Sequence, residues 1–323
     1  MPAVCVTLAA GAVLVRESRN PSAPPLDVPG VLLSAGAVTC LVWGVINGPE
    51  HGWTVPSAWA LLAGSAVLFA AFCGRERRAA HPLIDRQLFR DRRFTWGTAA
   101  TVAVSVALFG LMFVIPQYLQ SVAGNDPISA GLRLLPMMGG LLVAGGAASP
   151  VARAAGTRLT VAAGLALLTA GLTVLSQVQL ATGYTIVATG LALCGLGTGT
   201  SMAAAMDQVM AAAGGDEAGA GASLNSTLRQ VGGAISVAVV GSVLSAGYAR
   251  HIQPALGTLP AAAAATARAS ITEAVQLAGR LPAGGPALRA AAGSAFLHGM
   301  SVVMLICAAV TAAGAVASLR YLR

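Results

Sequence analysis

Apolar runs of membrane-crossing length, cut by short polar turns, cover most of the chain. The first, Val4 to Val15, stops at Arg16 after twelve residues. A helix needs about twenty residues to cross the hydrocarbon core, so this run reads as the end of a crossing. No positive charge precedes it and no cleavage site follows, which argues against a signal peptide. A polar, Pro-rich linker (Arg16 to Asp27) leads to a span from Val28 to Ile46. The stretch Asn47 to Pro56 carries Gly, Pro and the polar tips Glu50 and His51, and predicts a turn. Ser57 to Cys73 is the next span, and Gly74 to Arg93 is dense in arginine. Further spans follow at Thr95 to Leu119, Ile128 to Ala152, Leu159 to Ser176 and Tyr184 to Met206. A polar loop from Asp207 to Leu224 separates these from a span beginning near Gln230 and ending at Tyr248. After an Ala-rich excursion (Ala249 to Ser294), Ala295 to Leu319 is the last. The pattern predicts an all-α integral membrane protein with about eight full transmembrane helices plus a partial first one.

Composition excludes the soluble alternatives. Only 9% of residues are charged and 56% are hydrophobic, with a mean hydropathy of +0.76, whereas a soluble domain carries about a quarter charged residues. The net charge of +8 would suggest nucleic acid in a soluble protein. Between membrane spans the same excess marks cytoplasmic loops instead. All nineteen basic residues are arginine. With the Gly74 to Arg93 stretch placed in the cytoplasm, alternation puts fourteen arginines on that side and five on the other. Four of those five lie in the long excursion, where charge bias counts for less. The C-terminus is then cytoplasmic and the excursion extracellular. Arg75, Arg77, Arg78, Arg90, Arg92 and Arg93 read as topology anchors. They also suit anionic lipid headgroups, at about 1 kcal/mol each near the surface. Within the excursion, Pro260 to Arg280 predicts either a helix lying over the membrane or a flexible linker.

Polar groups at depth are the candidates for chemistry. Gln117 and Gln120 lie toward the outer end of their span, Arg133 about one turn inside the next, and Asp207 at a cytoplasmic edge. These four are candidate transport-pathway residues. Arg133 can equally snorkel to the interface, and a solvated carboxylate is the bland reading of Asp207. His298, just inside the last span, is the one titratable ring at depth. Small residues recur every fourth position at Gly140, Ala144 and Ala148, at Gly195, Gly199 and Ala203, and at Ala234, Ala238 and Ser242. Such stripes predict close helix packing or surfaces that slide during transport. Pro116, Pro136 and Pro150 are expected kink positions. The five cysteines are scattered through apolar segments with no CxxC pair, so they read as small hydrophobes. No acid, base and nucleophile converge at one depth, so an enzyme is not expected. GLGTGTS (Gly195 to Ser201) lies inside an apolar span with no preceding strand and is not a dinucleotide turn.

The stretch AGAGASLNSTLRQVGGAISVAVVGSVL (Ala218 to Leu244) resembles the entry to the penultimate helix in the fourteen-helix drug:proton antiporter branch of the major facilitator superfamily. ESRNP, LDVPG, GPEHGW, HPLIDRQLFRDRRF, PQYLQ and AGLRLLP occur in that branch's order at residues 17–21, 26–30, 48–53, 81–94, 116–120 and 130–136. The resemblance implies that residues 1–27 are the end of a truncated helix plus a cytoplasmic linker. Residues 28–74 would be an inserted helix pair, 75–94 an Arg-rich connector, and 95–323 a C-terminal six-helix bundle with an extracellular loop at 249–294. The N-terminal bundle would be absent, together with the loop, arginine and antiporter motifs the branch carries there. SPVARAAGTR (Ser149 to Arg158) is similar to the degenerate loop motif of the second bundle. Gly156 and Arg158 match, but Arg153 and Ala154 replace its acid and first arginine. With Arg229, these are the gating-motif remnants.

The resemblance therefore implies the C-terminal part of a multidrug-type efflux transporter in a bacterial plasma membrane. It would export small hydrophobic or cationic compounds by proton antiport with alternating access. The proton gradient would be its coupling source, with no cofactor. Its partners would be the lipid bilayer, the small-molecule substrate and the missing N-terminal bundle. The alternative is a truncated, transport-inactive membrane protein or a half-transporter needing a partner.

Overall fold

A computed structural model of the chain describes residues 27–51, 56–78, 91–257, 259–281 and 284–322. The short opening run, most of the Arg-rich connector including Arg90, and part of the GPEHGW turn lie outside the described residues. Every described element is helical: α1 (Val28–His51), α2 (Pro56–Arg78), α3 (Arg92–Gln117), α4 (Pro127–Leu132), α5 (Leu135–Ala155), α6 (Thr157–Ser176), α7 (Tyr184–Ile252), α8 (Ala261–Ala269), α9 (Ile271–Arg280) and α10 (Gly285–Tyr321). Eight stretches among them are long and apolar enough to cross a membrane, as the hydrophobic pattern predicts.

Local chemistry fixes several ends. The Asp91 carboxylate accepts from the Arg93 amide at 2.7 Å and starts α3. Asp126 accepts from the amides of Ile128 and Ser129 and starts α4. Both are side-chain caps on orphan N–H groups. Gly156, at φ +85°, turns the chain from α5 into α6 in a conformation that side chains resist.

Boundaries differ from the sequence expectation in six places. Helix α1 runs through His51 rather than turning at Asn47, and α2 continues through Arg78 past Cys73. Charged residues are compatible with a helix once it leaves the hydrocarbon. The single span expected over Ile128 to Ala152 breaks at Arg133–Leu134, where Pro136 sits in the first turn of α5. Proline cannot supply an interior helix N–H but suits a first turn. The excursion contains two helices split at Ser270, whose extended backbone starts α9 and whose hydroxyl accepts from Glu273 N at 3.2 Å. The last helix begins at Gly285, ten residues before the expected Ala295.

The sixth difference is α7, whose backbone is helical across the expected Asp207 to Leu224 loop. A straight helix of 69 residues would be about 100 Å long, far beyond a bilayer. The chain instead folds back: Asn225 Nδ2 lies 3.3 Å from Met206 Sδ, although nineteen residues of straight helix would separate them by about 28 Å. Two membrane limbs result, Tyr184–Ala212 and Gly221–Leu256.

Helix α3 is the centre of the bundle, with 61% of its apolar window buried against 17% for α1, α2 and the α4–α5 span. The first limb of α7 lies between α5 and α6, and its second limb packs on α3 and α10. The small-residue stripes pair here. Gly140 and Ala144 of α5 meet Gly195 and Gly199 of α7. The third stripe meets the α1–α2 hairpin, where Ser242 donates to the Val45 carbonyl at 3.0 Å. At one end of the bundle Trp96 stacks on Tyr321, ring centroids 4.4 Å apart, so α3 starts where α10 finishes.

The hairpin is clasped where α1 starts and α2 ends. Arg75 Nε and Nη2 donate to Asp27 Oδ1 at 3.0 and 2.7 Å. The Arg75 hydrogen bond holds the Asp27 carboxyl below its usual range. A depressed carboxylate pKa contributes stability that is complete above the ordinary value of about 3.9 and is lost as pH falls through the folded value. Faster amide exchange at Gly30 and Val31 is therefore expected on acidification below that range, and at neutral pH in Asp27→Asn. Exchange rates unchanged in both would show that the clasp does not hold the hairpin.

Candidate functional site

Three hydroxyl residues of α3, Thr98, Thr101 and Ser105, are spaced i, i+3, i+7 and so share one face. All three are buried. Opposite them, the second limb of α7 presents Asn225 and Arg229, one turn apart. Pairing follows a parallel register. The Thr101 hydroxyl lies 2.6 Å from Asn225 Oδ1, and Arg229 Nε donates to Ser105 Oγ at 3.1 Å. Farther along, Ser236 donates to the Val106 carbonyl at 2.6 Å. Ser105 in turn donates to the Thr101 carbonyl at 2.9 Å. Asn225 Nδ2 reaches back to Met206 on the first limb, so the seam ties three membrane segments together.

The seam is incompletely satisfied. The Arg229 guanidinium is half-buried within a membrane-spanning segment. It uses one of five N–H donors on Ser105, and no described carboxylate lies within ion-pair distance. Thr98 Oγ1 and Gln208 Oε1 are buried without a hydrogen-bond partner among the described residues. Gln208 packs beside Gly97, one residue before Thr98. A charged side chain in a membrane segment is costly unless it faces partners or a water-filled cavity. Spare donors around a cation inside an apolar bundle suit an anionic or polar group arriving from outside this chain.

The residues predicted from sequence do not gather in one place. Gln117 Nε2 donates to its own helix at Phe113 O, 2.9 Å away. Gln120 is exposed in the widened π-type turn, Tyr118–Val122, that follows Pro116. Arg133 closes α4 with its guanidinium 4.9 Å from the Tyr184 ring, and Tyr184 donates to the Arg133 carbonyl at 3.0 Å. That contact is cation–π rather than a link to an acid. Asp207 is exposed, with Ser149 Oγ at 3.4 Å. Gly156 forms the α5–α6 turn and Arg158 is exposed just beyond it. Arg75, Arg77 and Arg78 end α2, while Arg92 and Arg93 begin α3. Of these, only Arg229 belongs to the seam.

Sequence reasoning missed Thr98, Thr101, Ser105, Gln208 and Asn225. The available signal was the hydroxyl spacing on α3 and the Asn-x-x-x-Arg spacing on α7. Ser and Thr hydroxyls commonly bond their own helix and so stand out less at depth than the Gln, Arg and Asp side chains singled out above. The ring contact of His251 with His298, centroids 3.7 Å apart, was not foreseen either. Those histidines are 47 positions apart and carry no local sign of pairing.

A sequence model of the Major Facilitator Superfamily matches residues 3–237. The tetracenomycin C resistance and export protein of Streptomyces glaucescens is 32% identical, over 99% of this chain and 61% of that protein. The multidrug resistance protein Stp of Mycobacterium tuberculosis is 34% identical over 75% of this chain and 45% of its own length. The multidrug efflux pump LfrA of Mycolicibacterium smegmatis is 29% identical over the whole chain and 64% of the pump. The chain thus spans about half to two thirds of the length of these relatives. Eight segments of membrane-crossing length and hydropathy among the described residues, helices paired through glycine and a family match across most of the chain lead to one conclusion: the protein belongs to the Major Facilitator Superfamily of membrane transporters.

Proposed function

We propose that this chain supplies the C-terminal bundle of an efflux transporter in a bacterial plasma membrane. The transporter exports small hydrophobic or cationic compounds in exchange for protons. The observation that carries this reading is similarity to resistance and export proteins along the full length of the chain. Alternating access places the substrate between two bundles near the midplane, so transport requires an N-terminal bundle beside these helices. The seam on α3 and α7 is the part of this bundle suited to meet it: Arg229 carries spare donors and a charge with no described acid partner. The Arg-rich end of α2 and the Trp96–Tyr321 end of the bundle lie on the cytoplasmic side, with the C-terminus.

Dye extrusion by an efflux-deficient bacterial host tests the proposal. Cells making the chain together with an N-terminal six-helix bundle should extrude a lipophilic cationic dye, and a protonophore should stop them. Cells making the chain alone should not. Protonophore-sensitive extrusion by the chain alone would contradict the two-bundle requirement, and no extrusion by the pair would contradict efflux.

A further inference from the structure

The arginine-rich end of α2 is more than a basic patch. Ala71, Gly74, Arg75 and Arg78 fall on one helical face and line a pocket of about 610 Å³. Gly74 opens this space: a Cβ placed there would meet nothing within 4 Å. Asp27 takes one edge of the Arg75 guanidinium through Nε and Nη2, which fixes its plane and leaves its remaining N–H groups available. Arg78, one turn on, is exposed and has no acid partner among the described residues. Asp27 pairs with one of the two pocket cations, and Glu76, buried beside Arg75, acts on that same arginine without lining the pocket, so Arg78 is the cation left facing the space. Arg77 ends the same helix but does not line the pocket.

We propose that this pocket binds the phosphate of an anionic phospholipid. A planar guanidinium held in place by a carboxylate is preorganised for bidentate phosphate recognition. The acyl chains also have a path. Val67 precedes Ala71 by one turn on the same face and is 68% exposed, so an apolar strip runs from the hydrocarbon to the arginines. A span that ends at Arg78 puts the pocket at headgroup depth. Apolar below and cationic above matches a phospholipid better than a free anion.

The test is lipid retention by the purified full chain in native mass spectrometry, with phosphatidylglycerol as probe and phosphatidylcholine as the zwitterionic arm. Wild type should retain phosphatidylglycerol in preference to phosphatidylcholine. Arg78→Gln should lose about fivefold in retention, and Arg77→Gln should lose little. Gly74→Leu keeps every charge, and its Cβ meets nothing within 4 Å, yet it puts an apolar side chain beside the two arginines and should reduce retention as much as Arg78→Gln. Equal losses in Arg77→Gln and Arg78→Gln, or full retention in Gly74→Leu, would overturn the pocket and leave only diffuse attraction. Displacement by inorganic phosphate at the concentrations that phosphatidylglycerol requires would overturn the lipid assignment.

Discussion

Gly195→Val is expected to abolish the folded bundle. The first limb of α7 runs between α5 and α6 at backbone contact, with glycine on both sides. A Cβ on Gly195 would collide with the Met137 carbonyl oxygen and lie 3.0 Å from Leu141 N. On the opposite side, a Cβ on Gly197 would collide with Leu168 N and lie 2.6 Å from the Gly164 carbonyl. These are main-chain atoms of helices, so no rotamer change relieves them. Overpacking a core costs about 1–3 kcal/mol where side chains can shift, and here the helices themselves must separate. In lipid, helix association rests on such close packing because apolar contact alone gives no preference. Gly146 of α5 is the control, since a Cβ there meets nothing within 4 Å. In detergent size-exclusion of a fluorescent fusion, Gly146→Val should elute as wild type and Gly195→Val should aggregate. A monodisperse Gly195→Val of normal thermal stability would show that α5 and α7 are not in backbone contact.

Arg229→Gln is expected to remove transport from the two-bundle protein while leaving it folded. Glutamine can still donate to Ser105, so the contact that the structure shows survives in kind. What is lost is the charge, together with the donors that no described residue uses. Removing one member of a buried, hydrogen-bonded charge pair costs about 2–5 kcal/mol. If a group outside this chain pairs with Arg229 during the cycle, extrusion should fall by about a hundredfold at unchanged melting temperature. Asn225→Leu gives the opposite signature. It removes the cross-helix partner of the Thr101 hydroxyl, leaving that hydroxyl the Thr98 carbonyl of its own helix, and should lower stability by about 0.5–1.5 kcal/mol. Normal extrusion by Arg229→Gln would reduce Arg229 to a packing residue.

What the sequence made legible follows from the bilayer. About twenty apolar residues per crossing is a constraint strong enough to read directly, and all eight spans were visible in that way. The Gly140 and Gly195 stripes also declared that helices approach closely. They could not say that these two stripes face each other, because helix neighbours are set by the whole bundle. Helix ends were poorly legible where polar residues continue a helix outside the hydrocarbon, as at Arg75 to Arg78. The Asp207 to Leu224 stretch looked like a loop because it is polar, yet its alanines and its scattered acids are compatible with helical backbone. The seam was the least legible part. Asn225 and Thr101 are 124 positions apart, and neither is ionisable, so nothing local marks them as partners. Arg133 was visible as a charge at depth, but its aromatic partner, Tyr184, lies 51 positions away.

Proton movement in sealed vesicles tests the central claim most directly. Liposomes containing the chain together with an N-terminal bundle, loaded with a pH-sensitive dye and holding an imposed proton gradient, should release protons when a transported compound is added. The same liposomes with Arg229→Gln should not. Substrate-dependent proton release from the wild-type pair alone is the predicted result. Export of the compound with no associated proton movement, or equal proton release from the Arg229→Gln pair, would contradict it.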